Sequence, residues 1–181
     1  MIKYIAFLRG INVGGNKIIK MEELRKEITS LGFEKVETHI QSGNLIFESK
    51  EKNQTTLIKQ LEDHLLKWKN FEVIVCLRTI NELVEVAKIA PFEEGGLEKN
   101  PNLRYYVTFL KEKPSEEKIK LLLTFQDERL TMKVIGNEIY SVWIKGEDKH
   151  PFSNNFIENK LKISATTRDW KVVKKIVELY S

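Results

Sequence analysis

Hydrophobic and polar positions follow two different spacings at the start of the chain. An apolar run from Ile2 to Leu8 predicts a strand buried on both faces, because a strand with one solvent face alternates polar and apolar residues. Apolar residues then recur at helical spacing from Met21 to Leu31, and Gly32 follows where a helix commonly ends. A buried strand followed by an amphipathic helix is therefore the first unit of structure that the sequence predicts.

A hairpin and a second helix come next. Apolar and polar residues alternate from Val36 to Gln41, and the turn Ser42-Gly43-Asn44 leads into Leu45-Ile46-Phe47, a pattern typical of two paired strands. Helical spacing returns from Leu57 to Trp68, and a second apolar run extends from Val73 to Leu77. The predicted order is βαββαβ, which is the ferredoxin-like arrangement.

The same order returns about a hundred residues later, as expected for an internal repeat. A third helix is predicted around Ile80 to Ala87, and the stretch from Pro91 to Pro101 contains prolines at both ends and paired glycines, which are typical of a linker. Further strands are predicted at Arg104 to Leu110, Leu130 to Ile135 and Glu138 to Ile144, with helices opening at Ser115, near Phe152 and after Ala165. We predict an α+β fold of two ferredoxin-like (βαββαβ) halves, with mainly antiparallel sheets and helices packed on one face. The domains are expected at residues 1–90 and 103–181, joined by a linker at 91–102.

Composition places the chain among soluble proteins of the cytoplasm. A hydrophobic fraction of 41% in 181 residues is sufficient for a core, and the longest apolar runs are shorter than the about 20 residues of a membrane helix. The start of the chain lacks the apolar stretch and cleavage site of a signal peptide. The one cysteine, Cys76, excludes an internal disulfide and fits a reducing compartment.

The charge of the chain gives only a weak indication of its partners. Thirty Lys and Arg against 26 Asp and Glu give a net charge of +4, and the lysines alternate with glutamates in segments such as Glu22 to Glu27. This pattern is typical of a solvated helix face. A nucleic-acid-binding module, with Tyr105 or Trp143 stacking on bases, remains an alternative, and no membrane partner is expected.

The loop between the first strand and the first helix is the leading candidate for a site. It lies at the carboxyl end of a strand, and its glycines leave backbone amides accessible to a ligand. Gly10, Asn12, Gly14 and Gly15 are therefore candidate ligand contacts. The spacing does not match a P-loop or a dinucleotide fingerprint, and a loop that simply needs positive φ explains the glycines equally well.

Polar residues at Arg9 and in the following turn extend this candidate site. Arg9 ends a buried strand, and its guanidinium could bind a carboxylate or phosphate through two parallel hydrogen bonds or form an internal salt bridge. Gln41, Ser42 and Asn44 add hydrogen-bonding groups, although a plain turn also explains these residues. No histidine can be assigned as a base for Ser42, so a nucleophilic role is not supported.

The segment before the last helix contains two further candidates. Thr166 is predicted as the N-cap, with Asp169 three residues later in a capping-box arrangement. This leaves Arg168 and Trp170, which together could hold an anion or stack on a base. Core packing is the alternative for Trp170.

The sequence does not predict a metal or a cofactor. His39, His64 and His150 lie far apart and have no ligand spacing with Cys76. His64 is expected at the edge of the core, and Cys76 is expected to be an inert buried thiol.

Several motifs together resemble one bacterial family, known as domain of unknown function 1697. The segments concerned are Leu8 to Gly15, Met21 to Arg25, Leu31 to Phe33, Gln41 to Asn44 and Ala165 to Trp170. The resemblance implies a two-part α+β fold of ferredoxin-like units in a bacterial cytoplasmic protein, without implying an activity. The chain departs from the family pattern at Lys149 to Asn155, where a Gly-x-Ser-Lys-Leu type segment is expected.

Three functions follow from these residues. The first is binding of a small anionic ligand, such as a nucleotide, by the loop Gly10 to Asn16 together with Arg9 and the turn Gln41 to Asn44. The second is nucleic-acid binding. The third is an enzyme of unknown reaction, which has the least support because no acid, base and nucleophile with recognisable spacing are present.

Overall fold

Two four-stranded antiparallel sheets form the framework of the computed structural model, which describes residues 1–92, 102–146 and 152–181. The chain divides into two units, Met1–Leu83 and Val84–Ser181. Most of the predicted linker and part of the divergent segment Lys149 to Asn155 lie outside the described residues. The domain boundaries at residues 90 and 103 therefore stay predictions.

The first unit follows the predicted order of strands and helices. Its elements are β1 Ile2–Leu8, α1 Met21–Ser30, β2 Glu34–His39, β3 Asn44–Ser49, α2 Gln54–Lys69 and β4 Val75–Thr79, after which α3 occupies Ile80–Ile89 and extends into the second unit. The strands are arranged β2-β3-β1-β4, and all neighbours are antiparallel. The long central strand β1 thus has hydrogen-bonded partners on both sides.

The first core lies between this sheet and the helices α1 and α2. Every residue of β1 from Tyr4 to Leu8 is buried, so the prediction of a strand buried on both faces is confirmed. On one face, Tyr4 and Phe47 stack with ring centroids 5.6 Å apart, and Leu24 and Leu61 are among the helix residues packed in the same cluster. Burial of these apolar side chains is the main force that fixes both helices on the sheet.

The second unit repeats the order of the first. Its elements are β5 Leu103–Leu110, α4 Glu116–Leu123, β6 Leu130–Ile135, β7 Glu138–Ile144, α5 Asn154–Leu161, β8 Ala165–Asp169 and α6 Trp170–Tyr180. The strands are arranged β6-β7-β5-β8. Ser115 and Ser153 cap α4 and α5, because the side chain of each accepts a hydrogen bond from a backbone amide of the first turn.

Helices pack on both faces of the second sheet. The residues Leu122 of α4 and Ile157 of α5 share a buried cluster with Ile139 of β7. The last helix, α6, packs against β5 and β8, and its Trp170 ring lies 6.4 Å from the ring of Tyr140. Since Tyr140 and Ile139 are consecutive in a strand, they face opposite sides. The ferredoxin-like fold class is confirmed, with α6 added on the second face.

The predicted N-cap of the last helix is wrong. Thr166 lies inside β8, where it is fully buried and pairs with Phe109 of β5. The capping residue is Asp169, whose Oδ1 accepts a hydrogen bond from the amide of Lys171 at 2.8 Å. Two adjacent threonines suit a strand as well as a helix start, and pairing with β5 decides between the two.

Within these described ranges, none of the helices has the length and apolar character needed to cross a membrane.

Candidate functional site

Two loops of the first unit are joined where β1 ends and β3 begins. The amide of Leu8 donates to the carbonyl oxygen of Gly43 at 2.8 Å, and Asn12 Nδ2 donates to the carbonyl oxygen of Gln41 at 2.9 Å. These bonds connect the segments that the sequence predicts as one site. We call them together the double-loop surface, which consists of residues 9–20 and 40–43.

Asn12 holds the double-loop surface together. Its Oδ1 accepts from the amide of Ile19 at 2.8 Å, and its Nδ2 donates to the carbonyl of Ile19 as well as to that of Gln41, both at 2.9 Å. Its φ of 56° lies in the left-handed region, which asparagine tolerates better than most residues. The side-chain amide of Asn12 is therefore committed to positioning the loops.

The glycines at the end of the loop form a tight hairpin. The amide of Asn16 donates to the carbonyl of Val13 at 3.0 Å, which closes a turn around Gly14 and Gly15. Their φ values of 58° and 78° are those that a type I′ turn requires at both central positions. Turn geometry thus accounts for both glycines, and both are exposed to solvent.

The turn before β3 is fixed by two buried positions. Asn44 is fully buried, and its Nδ2 donates to the carbonyl of His39 at 3.0 Å and to Ser42 Oγ at 3.1 Å. Gly43 has a φ of 76°, and a Cβ there would lie 2.8 Å from Ile11 Cδ1. Gln41 and Ser42 are exposed between these anchors. The turn therefore presents two polar side chains from a rigid base.

The charged side chains of the double-loop surface are all positive and belong to the loop of residues 9–20. It contains Arg9, Lys17 and Lys20 and no acidic residue, which amounts to three of the four net positive charges of the chain. Arg9 is half-buried at the end of β1, and Gly10 beside it is exposed. Lys17 Nζ donates to the carbonyl of Glu72 at 2.6 Å and so lies over the end of the loop before β4. Lys20 Nζ lies 3.6 Å from Glu23 Oε1 of α1, so an anion that approaches this surface meets chiefly the charges of Arg9 and Lys17.

The remaining predicted site residues belong to the second unit. Arg168 is buried in β8, and its Nη1 donates to Thr166 Oγ1 at 2.7 Å and to the carbonyl of Thr167 at 2.9 Å. Trp170 is buried at the start of α6, which agrees with core packing. The structure thus brings together eight of the ten predicted site residues in one unit, namely Arg9, Gly10, Asn12, Gly14, Gly15, Gln41, Ser42 and Asn44. Their role in binding stays a prediction.

A buried arginine that the sequence analysis missed is Arg78. It is the penultimate residue of β4 and pairs with Ile5 of β1, just as Arg168 is penultimate in β8 and pairs with Val107 of β5. The Nη1 of Arg78 donates to the carbonyl of Leu77 at 2.7 Å. Alignment of the two repeats would have identified this position, because each arginine stands two residues before a helix.

A concave feature lies in the second unit. It is partly open to solvent and offers a volume of only about 10 Å³ to the centre of a water molecule, and five aromatic residues line it, namely Phe92, Tyr105, Tyr106, Tyr140 and Trp170. The rings of Phe92 and Tyr105 meet edge to face at 6.2 Å. Tyr140 is anchored there, because its hydroxyl donates to the carbonyl of Val86 at 3.2 Å. Contacts between these aromatic rings stabilise the lining of the concave feature.

The hydroxyl of Tyr140 predicts a measurable dependence of stability on alkaline pH. Burial, and secondarily the charge of Glu138, raise the pKa of Tyr140 above its usual value of 10.0. Above that pH the unfolded chain loses the proton that the folded protein keeps, so the free energy of unfolding falls as pH rises, by up to about 1.4 kcal/mol per pH unit for one tyrosine.

Urea unfolding of the wild type and of Tyr140→Phe between about pH 9.5 and 11.5 measures this contribution. We expect the substitution to reduce the loss of stability over this interval, since phenylalanine has no proton to lose. Equal pH slopes for the two proteins would show that the Tyr140 hydroxyl ionises as easily in the folded state as in the unfolded state.

The described parts of the chain contain no cluster of three or more His, Cys, Asp or Glu side chains that could hold a metal. His64 Nε2 instead lies 2.9 Å from Glu27 Oε2, at the edge of the core as predicted. Cys76, the one cysteine of the sequence, is buried.

Comparison with known proteins identifies the family. A family model described as a protein of unknown function (DUF1697) matches residues 1–140. The solved structure of a conserved bacterial protein from Streptococcus pneumoniae is 23% identical, with a TM-score of 0.74 and coverage of 99% of both chains, a likeness that shows a shared fold. No curated protein matches the chain. Because the family model spans well over half of the residues, including both loops of the double-loop surface, the chain belongs to the DUF1697 family.

Proposed function

We propose that this protein binds a small anionic ligand at the double-loop surface. The observation that carries the proposal is a difference between the two repeats. Residues 9–20 connect β1 to α1 with twelve residues, whereas residues 111–115 connect β5 to α4 with five. Residues 40–43 connect β2 to β3 with four residues, whereas residues 136 and 137 connect β6 to β7 with two. The shorter loops complete the same fold, so the extra residues of the first unit are available for binding.

Hydrogen bonds at the strand ends show that the two sets of loops are equivalent. The amide of Arg9, the first residue after β1, donates to the carbonyl of Ile74 at 2.9 Å. The amide of Lys111, the first residue after β5, donates to the carbonyl of Ser164 at 3.0 Å. Arg9 and Lys111 therefore occupy the same place in their units, one beside long loops and the other beside short loops.

The chemistry of the longer loops favours an anion. The guanidinium of Arg9 presents paired N–H donors that match a carboxylate or phosphate. Gln41 and Ser42 add exposed side-chain donors, and the glycines leave the backbone open to close approach. Because the surface contains positive charges and no negative ones, it attracts an anion before any contact is made.

The alternative of nucleic-acid binding receives less support. Trp143, one of the aromatic residues expected to stack on bases, is only 8% exposed and packs in the core of the second unit. Outside the double-loop surface the chain has a net charge of only +1, since the surface itself contributes three of the four net charges. A polyanion needs a longer positive track than this surface offers.

Isothermal titration calorimetry with inorganic pyrophosphate and citrate tests the proposal at low ionic strength. Arg9→Ala is expected to weaken binding by about 10-fold or more, since a hydrogen bond to a charged group contributes about 1.5–3 kcal/mol. Lys111→Ala is the matched control and is expected to change the affinity less than about twofold. Absence of binding by the wild type, or an equal loss in both variants, would refute the proposal.

A further inference from the structure

The double-loop surface exposes aliphatic side chains beside its positive charges. Val13 and Ile18 are each 64% exposed, the highest values among the large hydrophobic side chains of the described residues, and Ile40 is 49% exposed. Single exposed aliphatic residues are common on protein surfaces. Here, however, three of them lie on two loops that hydrogen bonds join, so they form part of one surface.

The equivalent loops of the second unit have none of these features. Residues 111–115 read Lys-Glu-Lys-Pro-Ser and residues 136–137 read Gly-Asn, so they contain neither valine nor isoleucine, and their lysines are accompanied by a glutamate. The same strands and helices are therefore connected without exposed aliphatic residues. The aliphatic groups of the double-loop surface are additions that the fold does not require.

Three kinds of large partner can be compared with the residues of this surface, namely a nucleic acid, a membrane and a peptide. Base stacking needs aromatic side chains, and residues 9–20 and 40–43 contain none. Insertion of Val13 and Ile18 into a bilayer would take the exposed turn between them, Gly14-Gly15-Asn16, into the membrane, where its exposed backbone groups would lack hydrogen-bond partners. A peptide can instead pair carboxylates with Arg9 and Lys17 while it covers the aliphatic side chains beside them.

We infer that the double-loop surface binds an acidic segment of a partner protein that also carries aliphatic side chains. This inference rests on the proposed function, since the carboxylates of the segment take the place of the anion at Arg9. The aliphatic side chains of the segment cover Val13, Ile18 and Ile40 and remove them from water. Small anions and the acidic segment thus share the positive charges, and only the segment uses the aliphatic residues.

A random dodecapeptide display library, selected against the full chain, tests the inference. The selected pool is expected to be enriched in Asp and Glu together with Ile, Leu and Val. Fluorescence anisotropy of an enriched peptide is then compared between the wild type and a Val13→Ser/Ile18→Ser double variant. We expect the double variant to bind the peptide about tenfold more weakly or worse, and to bind pyrophosphate within about twofold of the wild type.

The control is a Leu121→Ser/Leu179→Ser double variant, which removes two exposed leucines of the second unit and should bind the peptide like the wild type. A selected pool without combined acidic and aliphatic residues would overturn the inference, as would equal peptide affinity of the wild type and Val13→Ser/Ile18→Ser. Sedimentation with phosphatidylserine vesicles that depends on Val13 and Ile18, without peptide binding, would assign the surface to a membrane instead. If the wild type does not bind pyrophosphate, the proposed function itself is refuted.

Discussion

Replacement of Gly43 by alanine is expected to lower the free energy of unfolding by about 3–5 kcal/mol. A Cβ at this position would lie 2.8 Å from Ile11 Cδ1 and 2.9 Å from Leu8 Cβ, which is closer than real contacts allow. Both neighbours are buried, so neither can move aside without disturbing the core. The φ of 76° adds strain of its own, because alanine rarely adopts this conformation.

The equivalent turn of the second unit supplies the control. Gly136 also has a positive φ, of 62°, but a Cβ there would meet only Glu138 Oε2 at 3.5 Å, an ordinary contact. Gly136→Ala is therefore expected to cost about 1 kcal/mol, the backbone contribution alone. Urea unfolding followed by circular dichroism measures both variants. Equal losses would contradict the close packing of Gly43 against Ile11 and Leu8.

The fold could be predicted because each element shows its own spacing and the two halves repeat one order. The apolar run of β1 indicated a strand buried on both faces, and Gly32 marked the end of α1, where its φ of 85° confirms the reason for glycine. The start of α6 could not be placed, since Thr166 suits a strand and a helix cap alike. Long-range pairing with β5, which local sequence does not contain, decides that case.

The candidate site was predicted only in outline. The sequence indicated that the glycine loop and the turn at Gln41 lie near each other, and the hydrogen bond from Asn12 to the Gln41 carbonyl now joins them. The separate roles of the residues could not be read, because they depend on backbone conformation. Asn12 and Asn44 position the loops, whereas Gln41 and Ser42 are exposed. Conformation thus separates residues that hold the surface from residues that can contact a ligand.

Comparison of the two repeats separates residues that the fold requires from residues that are added in the first unit. Two units with the same strand order differ at two connections, where the first unit has longer loops, more positive charge and more exposed aliphatic side chains. The second unit shows what the fold alone needs at those positions, and so serves as an internal reference for the first. By this comparison, Gly14 and Gly15 belong to the added hairpin, while the carbonyl that accepts from the last amide of the central strand belongs to the shared fold and comes from Gly43 in the first unit and from Asn137 in the second.

The side chain of Asn12 is expected to decide whether the double-loop surface stays assembled. Asn12→Ala removes three hydrogen bonds and leaves the amide of buried Ile19 without its acceptor. We expect a loss of about 2–4 kcal/mol in the free energy of unfolding, and hydrogen exchange at the Ile19 amide that is faster by about 100-fold or more. Asn12→Asp keeps the acceptor for the Ile19 amide and loses both donated bonds. The exchange rate of the Ile19 amide in this variant should therefore lie between the rates in Asn12→Ala and in the wild type.

Asn16→Ala is the matched control, because Asn16 belongs to the same hairpin and bonds to Val13 through its backbone amide, which alanine retains. Its side chain is exposed, and its substitution should change stability by less than about 0.5 kcal/mol. Unchanged exchange at Ile19 in Asn12→Ala would show that the two loops hold together without this side chain. If exchange does accelerate, the pyrophosphate affinity of Asn12→Ala should be lower than that of the wild type, since binding then requires the loops to be reassembled at the cost that the exchange rates measure.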